Sequence, residues 1–270
     1  MLTIYRGPSN LPGNAPIVAV LATTSNGKLS SGANAVALTV YPDGEGGPLA
    51  ALRAKRTGRT PHGACPADCP VACYAEMTAI ERVAMGDPGR LRAHIQGRAL
   101  PVTSPEHAVD WTAAVTRGAR RPLLRLSAYG DTAALPSHIV STLVAAAQRA
   151  GLRITAYTRG WRTSPHLRTT HMASVATTAE RDEAIALGWR TYRTRAWSRS
   201  ATTGAWEPEP LAPGEIACPA TLEGGRRTTC DRCGLCDGQG KAPNRATIAA
   251  IDHGPGRAHR LQAWVGGGGR

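Results

Sequence analysis

The chain has 270 residues, 42% of them hydrophobic, enough to bury the core of one large domain or two small ones. Its net charge of +13 at pH 7 favours polyanionic partners, nucleic acid or nucleotides. Seven cysteines, an odd number, exclude a framework in which every thiol pairs within the chain.

The opening, MLTIYRGPSNLPG, has no basic stretch ahead of an apolar one, so no secretory signal and a cytoplasmic setting are expected. In that reducing compartment clustered cysteines are metal ligands more often than disulfides. Residues 1–60 form a strand-rich segment. PIVAVLAT and AVALTVYP read as strands, joined by a turn-like NGKLSSG. The run Pro16–Thr24 is too short to span a bilayer, so no membrane association is expected.

The core segment, 61–197, begins with PHGACPADCPVACYAEM. Its Cys65, Cys69 and Cys73 are four residues apart, but Pro66 and Pro70 resist a regular helix, so a stiffened loop around a metal centre is expected. Residues 78–97 have helical character interrupted by Gly86-Asp87-Pro88-Gly89. From Ser104, an N-cap followed by Pro105, strands and helices alternate. A helix to about Arg117 leads to the strand PLLRLSAYGD. Pro136–Ala150 has an apolar helical face and stops at Gly151. LRITAYT, MASVATT and WRTYRTRA are strands, with Thr178 capping the helix AERDEAIALG. This rhythm predicts an α/β fold with parallel strands, a (β/α) barrel or partial barrel, with cysteine-rich loops at both ends.

Residues 198–254 form a loop-like cysteine-rich segment closed by the strand ATIAAIDHG, and 255–270 a tail; together the segments suit one compact domain. Cys230, Cys233 and Cys236 form a C-x2-C-x2-C run, and Cys218-Pro219 stands apart from it. Three close and one remote is the spacing of ferredoxin-type iron–sulfur ligation, whereas zinc usually takes two separated pairs. One or two [4Fe–4S] clusters are therefore expected, with zinc as the alternative; His62 could complete a zinc site on the first set. Three thiolates leave one iron open to a substrate or cofactor, and four close the cluster. The two sets could also meet as one shared site.

Parallel α/β folds place functional groups at the carboxyl ends of strands. Asp131 is the candidate for proton transfer or for binding a ribose or amino group, with loop capping as the alternative. Arg159 suits a carboxylate or phosphate, with a solvated surface arginine as the alternative. Ser127, Tyr129, Tyr157, Trp161 and Ser174 are candidate cofactor contacts; Trp161 could stack on a base or simply pack the core. Arg193 and Arg195 end the last strand of the series. His253 is a candidate ligand, base or structural histidine.

The strings NGKLSSGANAVALTVYP, CPADCPVACYA, LLRLSAYGD, ITAYTRGWR and MASVATT, in this order, resemble the phage "gene product 88" family. The likeness is closer still to cysteine-rich phage and plasmid relatives, in which a Cys-Pro and a C-x2-C-x-L-C element precede a strand ending in His-Gly. Here these are Cys218-Pro219, then Cys230, Cys233, Leu235 and Cys236, then Ile251–Gly254. The resemblance covers most of residues 26–254 and singles out Asn26 and Lys28. It implies a mobile-element, cytoplasmic setting and a shared site, but no reaction. The chain is also partly similar to radical S-adenosylmethionine enzymes, although it has C-x3-C-x3-C where those have C-x3-C-x2-C. That likeness implies S-adenosylmethionine as a cofactor and a partner that donates electrons. The readings that follow are an iron–sulfur enzyme acting on a nucleotide or nucleic acid, a zinc-stabilised nucleic-acid-binding protein without catalysis, and a zinc-bearing base-exchange enzyme on a barrel.

Overall fold

The computed structural model describes residues 2–24, 26–30, 35–44, 63–67, 69, 102–116, 122–237 and 246–252. Cys73, His62, His253, the helical stretch 78–97 and the tail lie outside the described residues.

Three strands open the chain: β1 (Leu2–Pro8), β2 (Pro16–Thr24) and β3 (Ala35–Pro42). β2 and β3 are rich in β-branched and small apolar residues and bury both faces, the mark of central strands. β1 was not predicted; its Arg6 and Gly7 break the apolar pattern. Helix α1 (Pro105–Val115) starts as read, with Ser104 Oγ accepting from His107 N at 3.2 Å. β4 (Leu123–Tyr129), α2 (Ser137–Arg149), β5 (Arg153–Thr155), β6 (Tyr157–Thr158) and β7 (Met172–Val175) follow. α3 (Thr178–Ala186) is capped one residue earlier than expected, by Thr177, whose Oγ1 accepts from Glu180 N at 3.1 Å. β8 (Thr191–Arg195) completes the alternating series.

The segment after β8 is more structured than its loop-like composition predicts. β9 (Trp197–Arg199) and β10 (Trp206–Pro208) form a hairpin. β11 (Glu215–Ala217) pairs in parallel with the last strand, β12 (Thr247–Ile251), which inserts between β11 and β8. Three-residue strands among Pro and Gly are set by pairing partners distant in sequence, so they leave little local signal.

One sheet has the order β1-β2-β3-β4-β5 and the other β11-β12-β8-β7-β6. Only Ala156 separates β5, paired with β4, from β6, paired with β7, so the predicted strand LRITAYT serves both sheets. The strands from β3 onward in this series pair in parallel, while β2 is antiparallel to both neighbours. The result is an open α/β surface rather than a closed barrel.

Alternation along the strands separates its two faces. Val36, Leu38, Leu124, Leu126, Ile154, Ala173 and Val175 join α1, α2 and α3 in the main core. Ala35, Leu123, Tyr157, Met172, Tyr192, Ile248 and Ala250 belong instead to clusters built around the second cysteine set.

At the carboxyl end of β4 the ladder to β3 shifts: Arg125 faces Ala37, but Tyr129 faces Thr39. Ser127 takes up the surplus at φ +57, a conformation uncommon outside glycine. Gly130 follows at φ +71, where a Cβ would lie 2.1 Å from Val40 O, so only glycine lets the chain turn against β3.

Candidate metal centre

The second cysteine set is assembled from three segments. Cys218 follows β11 and is 6% exposed; its N–H donates to Ala249 O at 2.7 Å, which fixes it beside β12. Thr221 Oγ1 donates to Cys218 O at 2.7 Å, and the turn closes so tightly that a Cβ on Gly224 would stand 2.2 Å from that oxygen. Cys230–Cys233 is a single helical turn ended by Gly234 at φ +70. It is docked on the β2–β3 connection, where Cys230 N donates to Lys28 O at 3.0 Å and Asp231 N to Leu29 O at 2.9 Å.

Two arginines at strand starts hold the rest of the loop. Arg153 Nη1 reaches the carbonyls of Asp231 and Arg232, each at 3.4 Å. Arg190 donates to Leu235 O at 2.6 Å and Asp237 Oδ1 at 3.1 Å, clamping the residues either side of Cys236.

All four thiols are free and face one wall. Cys218 packs with Met172, Ile248 and Ala250, and Tyr157, Tyr192, Cys230, Leu235 and Cys236 pack against that cluster. Cys230 also touches the small cluster of Leu29, Ala35 and Leu123. Burial pushes the Cys236 thiol up to about 12; the Tyr157 hydroxyl, donating to its sulfur, opposes this, and Cys218, Cys230 and Cys233 add to it. Burial likewise raises Cys230, against the pull of Lys28 and Arg125, and Cys233, against a backbone donor and Arg153. The thiols are therefore within electrostatic reach of one another in a wall of low polarity, surrounded by cationic side chains. Such a setting resists isolated thiolates and suits thiolates whose charge a metal neutralises. Among the described residues, no three His, Cys, Asp or Glu side chains stand as a preformed ligand set for a metal ion.

The first set lies elsewhere. Asp131 N donates to Ala64 O at 2.7 Å, Ser9 Oγ donates to Gly63 O at 2.5 Å, and a Cβ on Gly160 would be 3.6 Å from Pro66. The loop bearing Cys65 and Cys69 thus sits at the carboxyl ends of β4 and β6. The Cys230 turn contacts Leu123, at the amino end of β4, and seven residues of strand separate the two ends by about 20 Å. Cys65 and Cys69 therefore do not share a site with the second set.

The strand-end candidates are gathered at that carboxyl end, but in bracing roles. Asp131 is 5% exposed. It accepts from Ala133 N at 2.9 Å, Thr158 Oγ1 at 2.8 Å and Arg159 N at 2.6 Å, so it caps the following turn and ties β4 to β6. Burial raises its carboxyl, against these donors. Asp131→Asn would aim an NH2 at one of them, and a loss of about 1–3 kcal/mol is expected in urea unfolding. The Arg159 guanidinium grips Glu180 at 2.9 and 3.0 Å and Ser174 O at 3.0 Å, rather than lying solvated. Trp161 is core, 1% exposed, with the Arg162 guanidinium 4.0 Å from its ring centre. Tyr129 is buried at 3% exposure. Tyr157 belongs to the cysteine wall, not to this end.

Ser127 Oγ pairs with Thr132 Oγ1 and accepts from Thr132 N at 2.9 Å. Thr132 Oγ1 also meets His171 Nε2 at 3.1 Å, and Thr170 Oγ1 meets His171 Nδ1 at 2.8 Å. His171 is fully buried, and burial lowers its pKa to about 3. The unfolded histidine, near 6.5, binds a proton that the folded one refuses. Stability from this residue is therefore full above pH 6.5 and lost as pH falls toward 3. At pH 5 the expected loss is about 2 kcal/mol, read as a fall in the urea midpoint that a His171→Gln variant does not share.

Sequence reasoning found all four thiols of the second set but missed Lys28, Arg125, Arg153, Arg190 and Tyr192 around them. Lys28 stood out only through the family likeness. Among the described residues no helix is long and apolar enough to cross a membrane. No family model, no curated protein and no solved structure matches the chain.

Proposed function

We propose that this is an iron–sulfur protein in which Cys218, Cys230, Cys233 and Cys236 hold a [4Fe–4S] cluster. The observation that carries this reading is the meeting of four free cysteines, from separate segments, on one buried wall beside Lys28, Arg125 and Arg153. Three close cysteines and one remote Cys-Pro match cluster ligation, and a cluster would supply one-electron chemistry there. Cationic neighbours and the Tyr157 hydroxyl suit the net negative charge of a thiolate-ligated cluster.

The loop of Cys65 and Cys69 supports a second, reactive centre, because it lies at the strand ends where α/β enzymes do their chemistry. A nucleotide or nucleic acid is the substrate class that the +13 charge favours, and the family likeness favours a phage or plasmid setting. One observation favours zinc as a second reading. Cys230 and Cys233 sit on one tight turn closed by Gly234 at φ +70, which a tetrahedral ion accepts equally well.

Iron, zinc and acid-labile sulfide are to be counted in full-length protein purified without oxygen. Brown protein with iron and sulfide in equal amounts is the expected result. Colourless protein with stoichiometric zinc would replace the first reading with the second.

A further inference from the structure

We infer that Tyr157 and Arg125 tune the electron affinity of the group held by the second cysteine set, so that this site accepts an electron rather than only stapling the fold. The inference rests on the iron–sulfur reading of that site.

A purely structural thiolate site gains nothing from a hydroxyl aimed at one sulfur. Here Tyr157 packs in the same cluster as Cys230 and Cys236 and donates its O–H to the Cys236 sulfur. Its ring is fixed on one side by Tyr192, at 4.8 Å between ring centres, and on the other by the Arg125 guanidinium, 5.9 Å from its own centre. Arg125 stands two residues beyond Leu123, on the same face of β4, and Leu123 packs with Cys230. Arg125 therefore presents positive charge to the Cys230 sulfur and to the tyrosine ring at once. Lys28 and Arg153 add charge from the β2–β3 connection and the start of β5.

A cluster held by four thiolates carries two negative charges when oxidised and three when reduced. The added electron comes from a low-potential one-electron donor; no bond forms or breaks, and no proton needs to move. A donor hydrogen bond and nearby cations stabilise the more negative state more than the less negative one. Tyr157 and Arg125 are thus positioning residues whose effect is read in the reduction potential.

The test is potentiometric titration of anaerobically purified full-length protein with dithionite, followed by visible absorbance, for the wild type, Tyr157→Phe and Arg125→Gln. Each variant is expected to hold the wild-type amount of iron and sulfide but to titrate at a more negative potential. About a tenfold fall in the reduced-to-oxidised ratio at fixed poise corresponds to a shift of about 59 mV for one electron. Full iron content with unchanged potentials in both variants overturns the inference and leaves the cluster reading standing. Wild-type protein without iron overturns the cluster reading first, and this inference with it. Should Tyr157→Phe fail to retain iron, Arg125→Gln, which removes no contact to a sulfur-bound hydroxyl, decides alone.

Discussion

Replacing Cys236 with alanine is expected to remove the metal of the second site while leaving that of the first. Cys236 is enclosed by Tyr157, Leu235 and the Met172–Ile248 wall, so no nearby solvent-exposed group can take over as ligand. Changes to outer-shell partners of a metal typically weaken affinity 10–100-fold, and loss of a ligand is expected to exceed about 100-fold. Iron and sulfide per chain, measured after anaerobic purification, should fall by the content of one site. The metal-free protein should unfold within about 1 kcal/mol of wild type, because a buried free cysteine packs as a small apolar residue. A Cys65→Ala variant should retain the second site in full, since that loop lies at the opposite end of β4. Loss of metal from both sites in either variant would mean that the two sets share a centre.

Glu215→Gln is expected to be the most destabilising single change away from the cysteines, at about 3–5 kcal/mol in chemical unfolding. The Glu215 side chain is 0% exposed and Arg193 is 1% exposed. They are joined by a bidentate pair at 2.6 and 2.8 Å. Glu215 also accepts from Ala212 N at 2.9 Å and Arg181 at 3.2 Å, and Arg193 donates to Glu209 at 2.7 Å. The glutamine keeps the volume but places an NH2 against guanidinium donors and leaves the Arg193 charge partly uncompensated. Because Glu215 begins β11, which leads directly to Cys218, the variant is also expected to lose metal from the second site more readily. Combining Arg193→Met with Glu215→Leu should recover much of the stability, since apolar replacement of a whole buried pair is often neutral or better.

The network around Glu215 also changes the meaning of the strand-end arginines. In sequence, Arg159, Arg193 and Arg195 look like anion receptors at the ends of parallel strands. In the fold Arg159 is matched to Glu180, Arg193 to Glu215 and Glu209, and Arg195 to Glu223. Each acid comes from a segment 14 or more residues away in the chain, so local sequence gives no sign that these charges are already engaged.

Much of the scaffold follows from local rules. The Ser104-Pro105 start, the apolar stripe of α2 and its Gly151 stop, and the doubly buried β2 and β3 are written in residue spacing, because helix and strand periods act over a few residues. The three-plus-four division of the cysteines is equally local, and so is their nomination as ligands. Tertiary structure alone decided that the two sets occupy opposite ends of β4, that β12 enters between β8 and β11, and that Lys28, Arg125 and Tyr157 surround the second set. It also decided that Asp131 braces β4 against β6. Those outcomes depend on pairings between residues tens to hundreds of positions apart, whose energies arise only after chain closure and burial, and a pattern read along the sequence contains no term for them.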